Sequence, residues 1–429
     1  MIYLDGRGKM SKIVIEGGKP ITGRLRIQGA KNAALPLMAA SILMGEGERL
    51  LLRNVPHLKD VETMESILSF MGFLPEREGN SLSLVAPKDI KGEVPYDLMR
   101  KMRASVLILG PLLSKKGKVV LPLPGGCPIG TRPIDLHLKG FSLMGAEIAI
   151  KHGYIEAKAD GKLRGAKIYL DFPSVGATEN IIMAATLAKG TTVIENAARE
   201  PEIHNLMDLL YKMGVDIGRD GESTIVIKGV EELKGSEISV IPDRIVAGTY
   251  IIAGVITKGN IRVENVNPFH MEALLAKLNE AGVRVEHGEN WIEASFVERL
   301  SGIKITTLPY PGFPTDLQAQ MMSLLSIAKG TSIITETIFE NRFMHVSELR
   351  RMGANIRVEG NSAIIDGVES LSGAQVIATD LRAGAALVLA GLSATGITVV
   401  SKAEHIDRGY ESFVENLSSL GARITREED

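Results

Sequence analysis

Along this chain, short runs that alternate apolar and polar residues give way to helical runs, and the exchange recurs six times. A hydrophobic–Gly–hydrophobic step closes a helical run at Gly72, Gly145, Gly214, Gly282, Gly353 and Gly421, 68 to 73 residues apart. A second glycine precedes each step, at Gly45, Gly117, Gly190, Gly259, Gly330 and Gly396. After Gly190, residues 191–195 read as a strand and residues 203–213 as an amphipathic helix with Leu206, Leu209 and Leu210 on one face. Gly214 then suits the left-handed helix end, and two polar strands follow. Each unit reads as strand–helix–strand–helix–strand–strand. The first helix of the unit, as in residues 33–44, 177–187, 246–256 and 383–392, is apolar on nearly all faces and is predicted to be buried. The second is amphipathic and is predicted to lie outside. Such a unit cannot bury its faces alone, so several must close around a shared core. A linear solenoid scaffold would need polar capping repeats, and these units look alike at both ends.

Composition narrows this picture. A chain of 429 residues exceeds one ordinary core and predicts two domains. Hydrophobic residues at 45% and charged residues at 23% fit a globular protein, and a net charge of −2 argues against a nucleic-acid partner. Any cationic site must therefore be local. The lone Cys127 cannot staple a fold, which fits a reducing compartment. The first residues carry Asp5, Arg7 and Lys9 without an apolar run, unlike a signal peptide, and no apolar stretch reaches the ~18 residues of a membrane span. The expectation is a soluble cytoplasmic protein with residues 1–11 as an N-terminal extension and Met10 as an alternative start.

Several polar or Gly/Pro-rich segments interrupt the pattern. Lys31 and Asn32 stand at the start of a buried helix, where Asn32 is either a helix cap or part of an anion site with Lys31. Residues 124–133 hold three glycines and three prolines around Cys127, with Arg132 nearby. Cys127 is either a small buried hydrophobe or an exposed thiol whose thiolate Arg132 favours, and the loop setting points to the second. Asp316 opens a helical run after Pro311-Gly312-Phe313-Pro314, as a plain cap or as a general base. Arg342, Arg382 and Arg408, with Lys31, Arg103 and Arg132, form a set near helix starts of different units. Gathered arginines repel unless an anion joins them, and their planar donors suit carboxylate and phosphate. These residues suggest group transfer on a small polyanion. The single cysteine and eight histidines show no metal-ligand spacing, so no metal and no cofactor are expected.

The segments GAKNAALP from Gly29, KMRAS from Lys101, GGCPIGTRPIDLH from Gly125, SVGATEN from Ser174 and NAAREPEI from Asn196 resemble the UDP-N-acetylglucosamine 1-carboxyvinyltransferase family. So do PDRIVAGT from Pro242, FPTDLQAQ from Phe313, FENRFMH from Phe339, DLRAGAALVLAG from Asp380 and HIDRGYE from His405. The resemblance spans residues 13–423. It implies an α/β fold of two domains, each an inverted α/β barrel of three repeats with helices inside. Residues 12–32 and 242–429 would form the catalytic domain, and residues 33–241 the second domain, which carries the Cys127 loop. It further implies transfer of the enolpyruvyl group of phosphoenolpyruvate to the 3-hydroxyl of UDP-N-acetylglucosamine, with release of phosphate. This is the first committed step of peptidoglycan synthesis. No nucleic-acid or membrane partner is implied.

The resemblance also implies roles. Lys31, Arg132 and Arg408 would bind the phosphate of phosphoenolpyruvate, and Arg342 and Arg382 its carboxylate. Asn32 and Asp316 would hold the sugar, with Asp316 as base. Arg103 and the stretch Arg132, Pro133, Ile134, Asp135 and Leu136 would take the nucleotide. Ser174, Val175 and Gly176 would cradle the diphosphate, while Ile338 and Asp380 would complete the substrate contacts. Cys127 would be the proton donor. Phe172 and Pro173 stand where some members carry a basic residue. The runner-up is the sibling that acts on shikimate 3-phosphate, against which the Cys127 loop argues. A non-catalytic paralogue is disfavoured by the presence of Lys31, Cys127, Asp316 and Arg408. Mass spectrometry after saturating exposure to the epoxide fosfomycin should show an adduct at Cys127, and its absence would refute the reactive-loop reading. Cys127→Asp should keep residual turnover and resist the epoxide, whereas Cys127→Ala should lose most turnover.

Overall fold

A computed structural model describes residues 11–125 and 134–428. Cys127, Arg132 and Pro133 lie outside the described residues. The apolar runs form helices whose residues are buried almost throughout. In Lys31–Ala40 burial is continuous from Ala33, in Val175–Ala185 from Ala177, and in Arg244–Ile256 from Ile245. In Leu381–Ser393 it runs from Leu381 to Leu392. Residues 33–44 are not one helix: the α-helix ends at Ala40 and a 3-10 turn, Ser41–Leu43, follows. There the Ser41 hydroxyl donates to the Met38 carbonyl at 2.7 Å, offering the backbone a local alternative to the next α-turn. The amphipathic helix begins at Pro201 rather than 203, with proline in the first turn, where its missing N–H costs nothing.

The chain divides into two compact units. The first comprises the described residues up to Ile27 and those from Asp243 onward. The second comprises the described residues between Gln28 and Pro242. Residues 28–32 and Pro242, expected with the first, group with the second, where Gly29 bridges Pro242 and the Ala30 N–H donates to Ile241 at 2.7 Å.

In the first unit the helices Arg244–Ile256, Gln318–Leu325 and Leu381–Ser393 pack on one another. Three four-stranded sheets accompany them. In one, Lys304–Thr306 pairs parallel with Thr331–Thr335, which pairs antiparallel with Ser362–Asp366, itself antiparallel to Asn355–Glu359. The other two repeat that order of one parallel and two antiparallel pairings, and one of them joins Ser11–Glu16 to both Ile397–Ser401 and Arg423–Glu428. Alternate residues of Thr331–Thr335 are buried, so Ser332 and Ile334 face the core. The second unit holds two four-stranded sheets of the same pairing and, among the described residues, one of three strands. Each unit has its own apolar core. The six glycines at the helix ends, from Gly72 to Gly421, all adopt positive φ. Among the described residues no helix is long and apolar enough to cross a membrane.

Within the second unit, helices Leu109–Lys116 and Val175–Ala185 meet at Gly110, whose N–H donates to Asn180 Oδ1 at 2.7 Å. A Cβ there would sit 2.3 Å from the Asn180 backbone oxygen. Gly110→Ala should therefore destabilise the fold by ~1–3 kcal/mol. Thermal denaturation should show the midpoint falling by ~2–4 °C per kcal/mol; an unchanged midpoint would show that the helices separate freely.

Candidate active site

Asp316 lies in a 3-10 turn, Thr315–Leu317, ahead of the helix Gln318–Leu325. Neither element has a side-chain cap, so Asp316 is not the plain helix cap that its position allowed. Its carboxylate instead joins two arginines. Arg342 Nη2 donates to Oδ1 at 2.9 Å and Arg382 Nη2 to Oδ2 at 3.0 Å. Both guanidinium side chains are 4% exposed, against 24% for Asp316. Burial opposes the charge of Arg382, but Asp316, with Tyr410 and Asp243, raises its pKa above the ordinary arginine value. Nη1 of each arginine is buried and has no hydrogen-bond partner among the described residues. The two Nη1 donors beside the shared carboxylate suit a further anion.

The backbone sets this arrangement. Asp380 does cap its helix: Oδ1 accepts from the N–H groups of Arg382 and Ala383 at 2.9 and 3.1 Å, fixing the turn that carries Arg382. Beneath Asp316, Gln320 Nε2 lies 3.0 Å from the Asp316 carbonyl, 3.1 Å from the Tyr410 hydroxyl and 3.2 Å from the Thr249 hydroxyl, which share its two N–H donors. The Arg382 guanidinium lies 5.5 Å from the Tyr410 ring centre. Arg408 is half-buried in the turn Ala403–Arg408, beside the Asp407–Arg426 ion pair. Ile338 N–H is held by Glu336 at 2.8 Å. Gln320 and Tyr410 fall inside motif segments without being marked by them, and Glu336 lies outside every such segment. Gln320 has a local signal, a polar residue in a buried helix, whereas Glu336 and Tyr410 sit among polar or glycine neighbours.

In the second unit Lys31 is the first residue of its helix, and its ammonium lies 3.3 Å from Asp60. The cap position is Ala30, so Asn32 is not the cap; it is half-buried in the first turn. Arg103 opens the turn Arg103–Ile108. Ile134 is buried, Leu136 is half-buried, and Asp135 is exposed at the start of Asp135–Leu143. Ser174 caps Val175–Ala185 and leads into Val175 and Gly176, all three half-buried. Asn180 connects these elements, its amide donating to Val106 O at 2.8 Å and meeting His137 Nδ1 at 3.0 Å.

The family model for EPSP synthase (3-phosphoshikimate 1-carboxyvinyltransferase) matches residues 15–417. The solved enolpyruvyl transferase NikO from Streptomyces tendae has a TM-score of 0.88 at 24% identity, covering 98% of this chain and 100% of its own. EPSP synthase from Acinetobacter baumannii has a TM-score of 0.75 at 19% identity, over 97% and 100%. The fold is therefore that of the enolpyruvyl transferases. At closer range, UDP-N-acetylglucosamine 1-carboxyvinyltransferase 1 of Caldanaerobacter subterraneus subsp. tengcongensis is 54% identical, over 97% of this chain and 99% of its own. UDP-N-acetylglucosamine 1-carboxyvinyltransferase 2 of Carboxydothermus hydrogenoformans is 55% identical over 98% and 100%. The chain belongs to the UDP-N-acetylglucosamine 1-carboxyvinyltransferase family.

Two buried histidines link the site to pH. Burial pushes His345 down to about 4, with Arg342 adding to the effect and Asp380 opposing it. Burial and then Arg103 push His137 down to about 3. Both are neutral in the folded chain at pH 7, while an unfolded histidine titrates near 6.5. Below pH ~6.5 the unfolded state therefore binds more protons, and stability is lost as pH falls toward the folded values. Each histidine should contribute a loss of roughly 2 kcal/mol between pH 7 and 5. Denaturant titrations of His137→Gln and His345→Gln should show a smaller fall across this range than the parent, and identical slopes would refute the assignment.

Proposed function

We propose that this chain transfers the enolpyruvyl group of phosphoenolpyruvate to the 3-hydroxyl of UDP-N-acetylglucosamine, releasing phosphate, in the cytoplasmic first committed step of peptidoglycan synthesis. The observation that carries this reading is the pair of buried guanidinium groups sharing Asp316 while each keeps an unpartnered Nη1. Such a pair is suited to the carboxylate of phosphoenolpyruvate beside a carboxylate that can accept a hydroxyl proton. The names of the relatives at 54% and 55% identity support the same acceptor and the same transferred group.

In this reading Asp316 takes the proton of the sugar hydroxyl as its oxygen bonds to C2 of phosphoenolpyruvate. A proton is added to the methylene carbon, with Cys127 as donor, giving a tetrahedral ketal. The C2–O bond to phosphate then breaks and a methyl proton leaves, restoring the vinyl group. Lys31, Arg132 and Arg408 hold the phosphate as its charge grows, and Arg342 and Arg382 hold the carboxylate. Asn32 holds the sugar. Arg103 and residues 132–136 take the nucleotide, Ser174, Val175 and Gly176 the diphosphate, and Ile338 and Asp380 complete the substrate contacts. Each unit is an inverted α/β barrel of three repeats with its apolar helices inside. The three similarly paired sheets and buried helices of the first unit support that architecture.

Phosphate release should be rapid with UDP-N-acetylglucosamine and near background with shikimate 3-phosphate; the reverse would overturn the acceptor assignment. Asp316→Asn should lower turnover by roughly 10²–10⁴-fold while calorimetric binding of the nucleotide sugar changes modestly. Arg382→Ala should raise the Michaelis constant for phosphoenolpyruvate far more than that for the sugar nucleotide.

A further inference from the structure

Glu336 follows the strand Thr331–Thr335 and is 4% exposed. A buried acidic side chain at the end of a strand needs several donors to offset its lost hydration. Four converge on it. The hydroxyls of Thr307 and Thr315 donate to Oε1 and Oε2, each at 2.8 Å, and the N–H groups of Ile338 and Phe339 donate to Oε1 at 2.8 and 3.2 Å. They come from three separate stretches of chain. Thr307 ends the run after Lys304–Thr306, Thr315 precedes Asp316, and residues 338 and 339 begin the segment that leads to Arg342. The Thr307 hydroxyl oxygen in turn accepts from the Thr337 N–H at 2.9 Å.

We infer that Glu336 is a positioning residue that sets the spacing of Asp316 and Arg342 by pinning the turn of the one and the approach segment of the other to the same carboxylate. The inference rests on the roles proposed above for Asp316 and Arg342, to which Glu336 makes no direct hydrogen bond. A carboxylate only accepts, so no donor here competes with another for direction. The two sides of the staple differ. Thr315 Oγ1 reaches only the Asp316 turn, whereas the two N–H groups reach only the segment toward Arg342.

That asymmetry gives the test. Thr315→Val removes the hydroxyl and keeps the shape. It should lower kcat roughly tenfold, with the Michaelis constant for phosphoenolpyruvate held within about twofold. Glu336→Ala releases both sides and should lower kcat by roughly 10–100-fold, the scale of a misplacement of about 1 Å. It should also raise the Michaelis constant for phosphoenolpyruvate. Glu336→Gln should stay within about threefold of the parent, since its amide oxygen still accepts and its NH2 can donate to the Thr315 hydroxyl. Combined, Thr315→Val and Glu336→Ala should be clearly less than additive. Full additivity, or parental constants in Glu336→Ala, would overturn the inference, as would a Glu336→Gln variant as impaired as Glu336→Ala. Hydrogen exchange of the free enzyme needs no substrate and separates this inference from the proposed reaction. The Ile338 and Phe339 amides should exchange roughly tenfold faster in Glu336→Ala and near the parental rate in Glu336→Gln. Unchanged exchange in Glu336→Ala refutes the staple even if the parent enzyme proves to use another acceptor.

Discussion

Two guanidinium groups buried side by side are the costly element of the first unit. Arg342 and Arg382 are each almost wholly shielded from water, and without Asp316 their charges would repel at short range in a medium that screens poorly. Removing one partner from such a buried group typically costs about 3–5 kcal/mol. The surrounding structure follows from this constraint. Asp380 caps the helix that presents Arg382, Gln320 holds the carbonyl of Asp316, and Tyr410 lies beside the Arg382 guanidinium. The first two contacts fix the backbone segments that carry Arg382 and Asp316. What results is a compact site with one net positive charge among these three side chains and two buried donors without a partner among the described residues.

The placement of this cluster depends on the apolar helices. Leu381–Ser393 is buried along nearly its whole length, so its packing fixes where its first turn places Arg382. The turn that carries Asp316 likewise precedes a helix whose residues are all buried. Helices buried on every face cannot rotate to relocate their ends without breaking that packing. Polar chemistry at a helix start is thereby held by packing, which is stiffer than a surface loop. The same logic operates in the second unit, where Asn180, buried within its helix, connects Gly110, Val106 and His137 and orders the elements around Arg103.

Much of this was legible in residue order. Helices apolar on all faces could only be buried, and glycines at regular helix ends marked where each amphipathic helix stops; both are local properties of the chain. Arg342, Arg382 and Asp316 stood out because charge and proline or glycine interrupted apolar pattern. Helix boundaries were less legible. Ser41 diverts its helix through a hydroxyl-to-carbonyl bond, and residues 28–32 join the second unit because of a bridge to Pro242, more than 200 residues away. Neither contact leaves a periodic trace.

The sequence by itself determined the alternation of elements, the burial of the apolar helices, the family and the candidate charged residues, because each rests on residue type and short-range spacing. Only the tertiary structure decided that Asp316 bridges two arginines instead of capping a helix, that Ala30 rather than Asn32 stands at the cap of its helix, and that Lys31 meets Asp60. It also decided that Glu336 gathers donors from three stretches of chain. These are choices among partners far apart in the chain. A carboxylate carries the same local signal whether it caps a helix, pairs with arginine or staples loops. Which donors reach it first is set by how the buried helices and sheets bring distant segments within 3 Å.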